Sequence, residues 1–134
     1  MTHKYPVPYK EDQVYFQYDV KDFNRAKKFY EEVLGFEKTW DGGEEAGWVE
    51  FALPVGGARV GLNLKREGEI DRGSGTLTLV VEDLDVTKNY FGVKGVDASD
   101  IVDVPDMVSY FNIEDTEGNP IQVVSDPRVK SEKQ

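Results

Sequence analysis

From residue 14 onward the chain alternates residue by residue. Val14, Phe16, Tyr18 and Val20 fall on one side, and Tyr15, Gln17 and Asp19 on the other. This is the period of a β-strand with two distinct faces. The period then lengthens: Phe23, Ala26, Lys27, Tyr30, Val33 and Leu34 follow helical spacing, with Asp22 placed to cap the start and Gly35 to stop the end. Residues Phe36 to Trp40 read as a short strand and Asp41 to Glu45 as a Gly-Gly turn. Trp48 to Leu53 and Arg59 to Leu64 read as two strands around a Pro54 to Gly57 turn. The order is strand, helix, three strands.

Residues Lys65 to Gly75 are rich in charge and glycine, lack periodicity and read as a connector. The pattern then starts again. Thr76 to Val81 alternates, Asp83 is a second cap, and Leu84, Thr87 and Phe91 share a helical face before Gly92 and Gly95. Strands at Ile101 to Val104, Val108 to Ile113 and Pro120 to Val124 follow, the last two joined by a Glu114 to Asn119 turn. At an offset of about 60 residues Val20 and Asp22 match Val81 and Asp83, Phe51 matches Phe111, and Val60 and Leu62 match Ile121 and Val123, which marks an internal repeat. Neither four-stranded half could bury its sheet alone. The expected fold is α+β: two tandem βαβββ modules packed as a pair, about 13–64 and 76–125, within a single domain spanning 1–134. Their curved mixed sheets would form a cleft, with the helices on the outer face.

Composition then narrows the function. Hydrophobic residues make up 39% and charged residues 31%, an ordinary globular balance. A net charge of -10 repels phosphates, so neither nucleic acid nor an anionic membrane is an expected partner. No apolar run approaches the roughly 20 residues that span a bilayer, and residues 1–10 lack a signal-like apolar segment, so a cytoplasmic location is expected. The absence of cysteine removes disulfides, thiolate metal sites and thiol nucleophiles together. The one histidine, His3, precedes the first strand and reads as a solvated terminal residue.

The segment Asp22-Phe23-Asn24-Arg25-Ala26-Lys27-Lys28-Phe29-Tyr30, with Leu34-Gly35-Phe36 and Asp115-Thr116-Glu117-Gly118-Asn119-Pro120-Ile121-Gln122, resembles the vicinal oxygen chelate superfamily of glyoxalases, bleomycin resistance proteins and extradiol dioxygenases. The resemblance covers about residues 13–126. It implies divalent-metal ligands, often His and Glu, on the first and last strand of each module. By motif these positions are Tyr15, Gly61, Thr76 and Gln122, and none is His, Asp or Glu. The resemblance therefore implies the fold without the usual metal, and no cofactor is expected. A divalent cation held by oxygen atoms of Asp19, Glu50, Gln17 and Gln122 stays open.

If the apolar alternates face the helices, the concave side carries Tyr15, Gln17, Asp19, Trp48, Glu50, Asn63, Thr76, Thr78, Tyr110, Asn112 and Gln122. Aromatic area combined with a few hydrogen-bonding groups suits an organic ligand. The leading expectation is a metal-independent protein that binds a small aromatic or cationic molecule, in the manner of drug-sequestering members of the superfamily. The alternative is a lyase, isomerase or dioxygenase working through Glu50 and Asp19 as acid and base, or through an oxygen-ligated metal. The resemblance also implies a homodimer. Ser125 to Gln134 reads as a mobile tail.

Overall fold

The alternation at the start of the chain becomes strand β1 (Val14–Val20), whose Tyr18 and Val20 are buried. The computed structural model describes residues 14–70 and 75–131, together with positions 6, 8 and 10. Helix α1 (Phe23–Lys28) follows, with the Asp22 carboxylate accepting from the Arg25 N–H. It runs into a π-helical turn at Phe29–Val33, closed by a hydrogen bond from the Leu34 N–H to the Phe29 carbonyl. Gly35, at φ 78, then reverses the chain. Strands β2 (Glu37–Asp41), β3 (Trp48–Ala52) and β4 (Ala58–Leu64) complete the first module, with a short helix α2 (Gly43–Ala46) between β2 and β3. In the second module, β5 (Leu77–Val80) leads to α3 (Leu84–Val93), capped by Asp83. Strands β6 (Val102–Val104), β7 (Val108–Glu114) and β8 (Pro120–Ser125) follow.

Each module builds one four-stranded mixed sheet of the same topology. Sheet A has the order β1-β4-β3-β2 and sheet B the order β5-β8-β7-β6; β1–β4 and β5–β8 are the parallel pairs. The expected α+β fold of paired βαβββ modules is what the chain adopts. Helix-side residues of both modules form one continuous core, from Val20, Phe23, Tyr30 and Phe51 through Leu84, Phe91, Phe111 and Ile121. Tyr30 lies over Phe51, and Phe91 meets Phe111 edge-on, with ring centroids 5.9 and 6.1 Å apart.

Polar contacts join the modules on this same side. The Tyr18 hydroxyl donates to the Pro120 carbonyl and accepts from the Leu77 N–H at 2.9 Å. Tyr30, fully buried, donates to Asp115 Oδ2 at 2.9 Å, and Asn119 donates its amide both to Asp115 and to the Asp19 carbonyl. Burial first, and then the Asp115 carboxylate, hold the Tyr30 phenol well above its ordinary range, so it remains a donor. Glu117 reaches from the β7–β8 turn to the start of α1, accepting from the Lys21 and Asp22 N–H groups and from Arg25.

Four sequence expectations need correcting. The Asp41 to Glu45 turn contains the first residues of α2, a four-residue helix too short to leave a periodic signal. Phe51 pairs with Val60, the partner of Phe16, whereas Ile113 pairs with Ile121, the partner of Leu77. The structural equivalent of Phe51 is therefore Ile113, because the pairing register of β3 with β4 leaves one more residue between partners than that of β7 with β8. The stretch after Val124 is pinned: Ser125 ends β8, and Arg128 binds Asp103 at 2.8 Å and Asp85 at 2.7 Å. Finally, not every apolar alternate faces the helices, since Val80 and Val102 lie on the opposite side and are exposed. His3, part of the Lys65 to Gly75 connector, and residues 132–134 lie outside the described residues.

These ion pairs carry a pH prediction. Hydrogen bonds from Arg128 and Ser109 bring the Asp103 carboxyl down to about 2. At Asp41, burial pushes the pKa up, but Lys27, Lys38 and the Gly43 N–H outweigh it and bring that group also to about 2. A carboxylate with a depressed pKa in the folded state stabilises fully above its unfolded value, near 4, and loses that contribution as pH falls toward the folded value. The melting temperature is therefore expected to stay level from about pH 7 to 5 and to drop between about pH 4 and 2. Calorimetric scans across this range check it, and in Arg128→Gln the acid drop should become shallower.

Candidate ligand-binding faces

Helices and core cover one side of each sheet, so the other side is open, and strand register fixes which residues share it. On sheet A three rows cross the open face. Tyr15 lies beside Arg59, then Gln17 beside Gly61 and Glu50, then Asp19 beside Asn63 and Trp48. On sheet B, Thr78 lies beside Gln122 and Asn112, and the next row is Val80, Val124, Tyr110 and Val102. Thr76 precedes β5 on the same parity.

The polar groups on sheet A hold one another. Trp48 Nε1 donates to Glu50 Oε2 at 2.9 Å, Arg59 lies 3.9 Å from the same carboxylate, and Asn63 donates to Asp19 at 3.1 Å. Gly61 explains the posture of Trp48: the indole lies across this glycine, and a Cβ built there would fall within the van der Waals shell of the ring. A strand glycine commonly marks such a close approach. Gly61 is buried although it belongs to the open face, because Trp48 covers it.

The four positions at which the family pattern implies metal ligands are thus divided. Tyr15 and Gly61 lie on sheet A, Thr76 and Gln122 on sheet B, and Gly61 is covered by carbon atoms of Trp48. A phenol, a glycine, a hydroxyl and an amide do not fit a transition-metal donor set. Gln17, Asp19 and Glu50 share sheet A while Gln122 is on sheet B. Among the described residues no three His, Asp or Glu side chains converge on a point where an ion could sit.

A groove of about 670 Å³ lies where the π-helical turn of the first module meets sheet B. Phe29 and Val33 of that turn, Thr76, Asn112 and Gln122 on the sheet side, and Lys94 just after α3 line it. Three of the predicted ligand residues therefore come together in one concavity. Tyr15, Gln17, Trp48, Glu50 and Asn63 are gathered on sheet A, outside it, and Thr78 and Tyr110 lie on the adjoining face of sheet B. Sequence reasoning passed over Arg59 on sheet A, and Val80, Val102 and Val124 on sheet B. Counting parity outward from Leu77 and Leu79 would have assigned Val80 to the open side.

Residues 13–123 match the family model described as the Glyoxalase/Bleomycin resistance protein/Dioxygenase superfamily. Solved structures share the fold at low identity. Lactoylglutathione lyase from Agrobacterium tumefaciens superposes with a TM-score of 0.69 at 18% identity, over 86% of this chain and 93% of that one. TnmS3, an antibiotic binding protein from Streptomyces sp. CB03234, gives 0.71 at 24% identity, over 84% and 93%. A superfamily member from Sphaerobacter thermophilus DSM 20745 gives 0.70 at 22% identity, over 85% and 96%. No curated protein sequence matches the chain significantly.

Proposed function

We propose, from the premise that the chain belongs to the glyoxalase, bleomycin resistance protein and dioxygenase superfamily, that it holds a small organic molecule against its open sheet faces without a metal ion. The observation that carries this reading is the seat of Trp48 on Gly61. Where the family pattern implies a metal-binding side chain, this chain has an indole whose N–H is fixed by Glu50. The substitution exchanges a coordinating group for aromatic area with a defined orientation, which is what stacking an organic ligand requires. Glu50 and Asp19 orient Trp48 and Asn63 in this scheme and perform no acid-base step.

A second copy of the chain, in the cytoplasm, is the proposed partner. Among the described residues no strand of sheet A pairs with a strand of sheet B. A homodimer that brings the Trp48 face of one chain toward sheet B of another would close the cleft. Among the described residues no helix is long and apolar enough to cross a membrane.

The test is calorimetric titration of chelator-treated protein against a panel of aromatic natural products and drugs, with Trp fluorescence as the second signal. Saturable binding whose Kd is the same with and without chelator is expected. Protein purified without chelator that retains stoichiometric metal, and turns over substrate only with it, would overturn the reading.

A further inference from the structure

The open face of sheet B differs in kind from that of sheet A. In the two registered rows Thr78-Gln122-Asn112 and Val80-Val124-Tyr110-Val102, and in the Val108-Val104 pair beyond them, no residue is charged. Yet 31% of the chain is charged, and its net charge is -10. Val80 and Val102 are nevertheless 79% and 43% exposed. An apolar row across an entire sheet, exposed at Val80 and Val102 and half-buried at Val124 and Tyr110, is unusual on a protein surface and marks a place where something binds.

We infer that this face takes the flat side of an electrically neutral, elongated aromatic molecule whose hydrogen-bonding substituents run along one edge. The inference rests on the small-molecule reading above and specifies its ligand class. Strands lie ~4.8 Å apart, so the four-strand valine and tyrosine row offers an apolar stripe roughly 14 Å long. The polar row lies parallel to it, two residues or about 7 Å along each strand. Asn112 and Gln122 spend one donor and one acceptor on each other at 3.4 Å, leaving further capacity on both amides for a ligand. The polar row also borders the groove that contains Thr76, Asn112 and Gln122, so the stripe and the concavity are continuous.

Charge selects among the possible ligands. An anion would approach against the net field of the chain. A cation would find no carboxylate within these rows: Asp97 and Glu114 line the adjoining groove, where Lys94 also stands, and Asp19 and Glu50 are on the other sheet, engaged by Asn63, Trp48 and Arg59. A neutral aromatic loses little hydration on docking and gains apolar contact with the valines and the Tyr110 ring.

Three dyes of similar size separate the cases: neutral phenylnaphthylamine, its anionic sulfonate analogue, and cationic thioflavin T. Fluorescence titration of the wild type should give saturable binding of the neutral dye, with both charged dyes at least about tenfold weaker. Val80→Asp alters an exposed position and should leave the circular dichroism spectrum intact. It should weaken the neutral dye about tenfold. Thioflavin T binding as tightly as the neutral dye, or a neutral-dye affinity indifferent to Val80→Asp, would overturn the inference while leaving small-molecule binding in place. Conversion of a dimer to a monomer by Val80→Asp, at unchanged dye affinity, would assign the row to a subunit contact and also overturn it. No saturable binding of any dye, together with none in the metal-free calorimetric panel, would overturn both readings.

Discussion

Asp115→Ala is expected to lower the unfolding free energy by about 3–5 kcal/mol, as much as truncating a buried core aromatic. Asp115 is 6% exposed and accepts four hydrogen bonds: from the Tyr30 hydroxyl and the Asn119 side chain on Oδ2, and from the Glu117 and Asn119 N–H groups on Oδ1. Alanine leaves the phenol of fully buried Tyr30 and the amide of Asn119 without that acceptor, at about 1–3 kcal/mol for each stranded group. It also releases the turn that presents Glu117 to the start of α1. Tyr30→Phe removes one donor and leaves Asp115 its other three, so about 1 kcal/mol is expected. Because Tyr30 belongs to the first module and Asp115 to the second, the alanine variant should also lose cooperativity. Chemical denaturation followed by Trp fluorescence and by far-ultraviolet circular dichroism should then give transitions that no longer coincide. A loss below about 1 kcal/mol with coincident transitions would show that the apolar core and the remaining links through Tyr18 and Glu117 couple the modules without Asp115.

The clamp shows which parts of this molecule are legible in its sequence. Local rules sufficed for the elements. The alternation through Val20 gave β1, the Asp22 and Asp83 side chains cap helices as their positions imply, and Gly35 and Gly95 end them at positive φ. Pairing a strand, a helix and three strands twice over was enough for the architecture. What escaped was long range or sub-turn in scale. Glu117 reads as a turn residue, since nothing in Asp115-Thr116-Glu117-Gly118-Asn119 tells that its carboxylate will meet N–H groups almost 100 positions earlier. The π-helical turn keeps a helix-like apolar pattern and so is invisible to periodicity. At the candidate site, parity assigned Tyr15, Gln17, Trp48 and Gln122 to open faces, and the repeat assigned them to two sheets, but neither can tell that an indole would lie on Gly61. That glycine looked like a missing ligand. In the folded chain it is the space that Trp48 fills.

Gly61→Ala should therefore alter binding far more than folding. The added Cβ would meet the Trp48 ring, and since Trp48 is only partly buried, the indole can swing outward rather than force the backbone apart. Displacement costs about 1–2 kcal/mol of stability in lost packing, offset by roughly 0.5 kcal/mol because alanine loses less backbone entropy than glycine on folding. Outward rotation breaks the bond from Trp48 Nε1 to Glu50, while Glu50 keeps Arg59. A red-shifted Trp emission and at least a tenfold weaker aromatic ligand are expected, with the melting temperature within a few degrees of wild type. Gly61→Glu sharpens the comparison. It supplies a carboxylate at the position where the family pattern implies a metal ligand, yet Tyr15, Thr76 and Gln122 add no imidazole or carboxylate to it. This variant should lose organic-ligand affinity as Gly61→Ala does without gaining stoichiometric zinc or nickel on dialysis. Unchanged ligand affinity in both variants would remove Trp48 from the site, whereas tight metal uptake by Gly61→Glu would mean that a single substitution had closed this face to organic ligands and opened it to an ion.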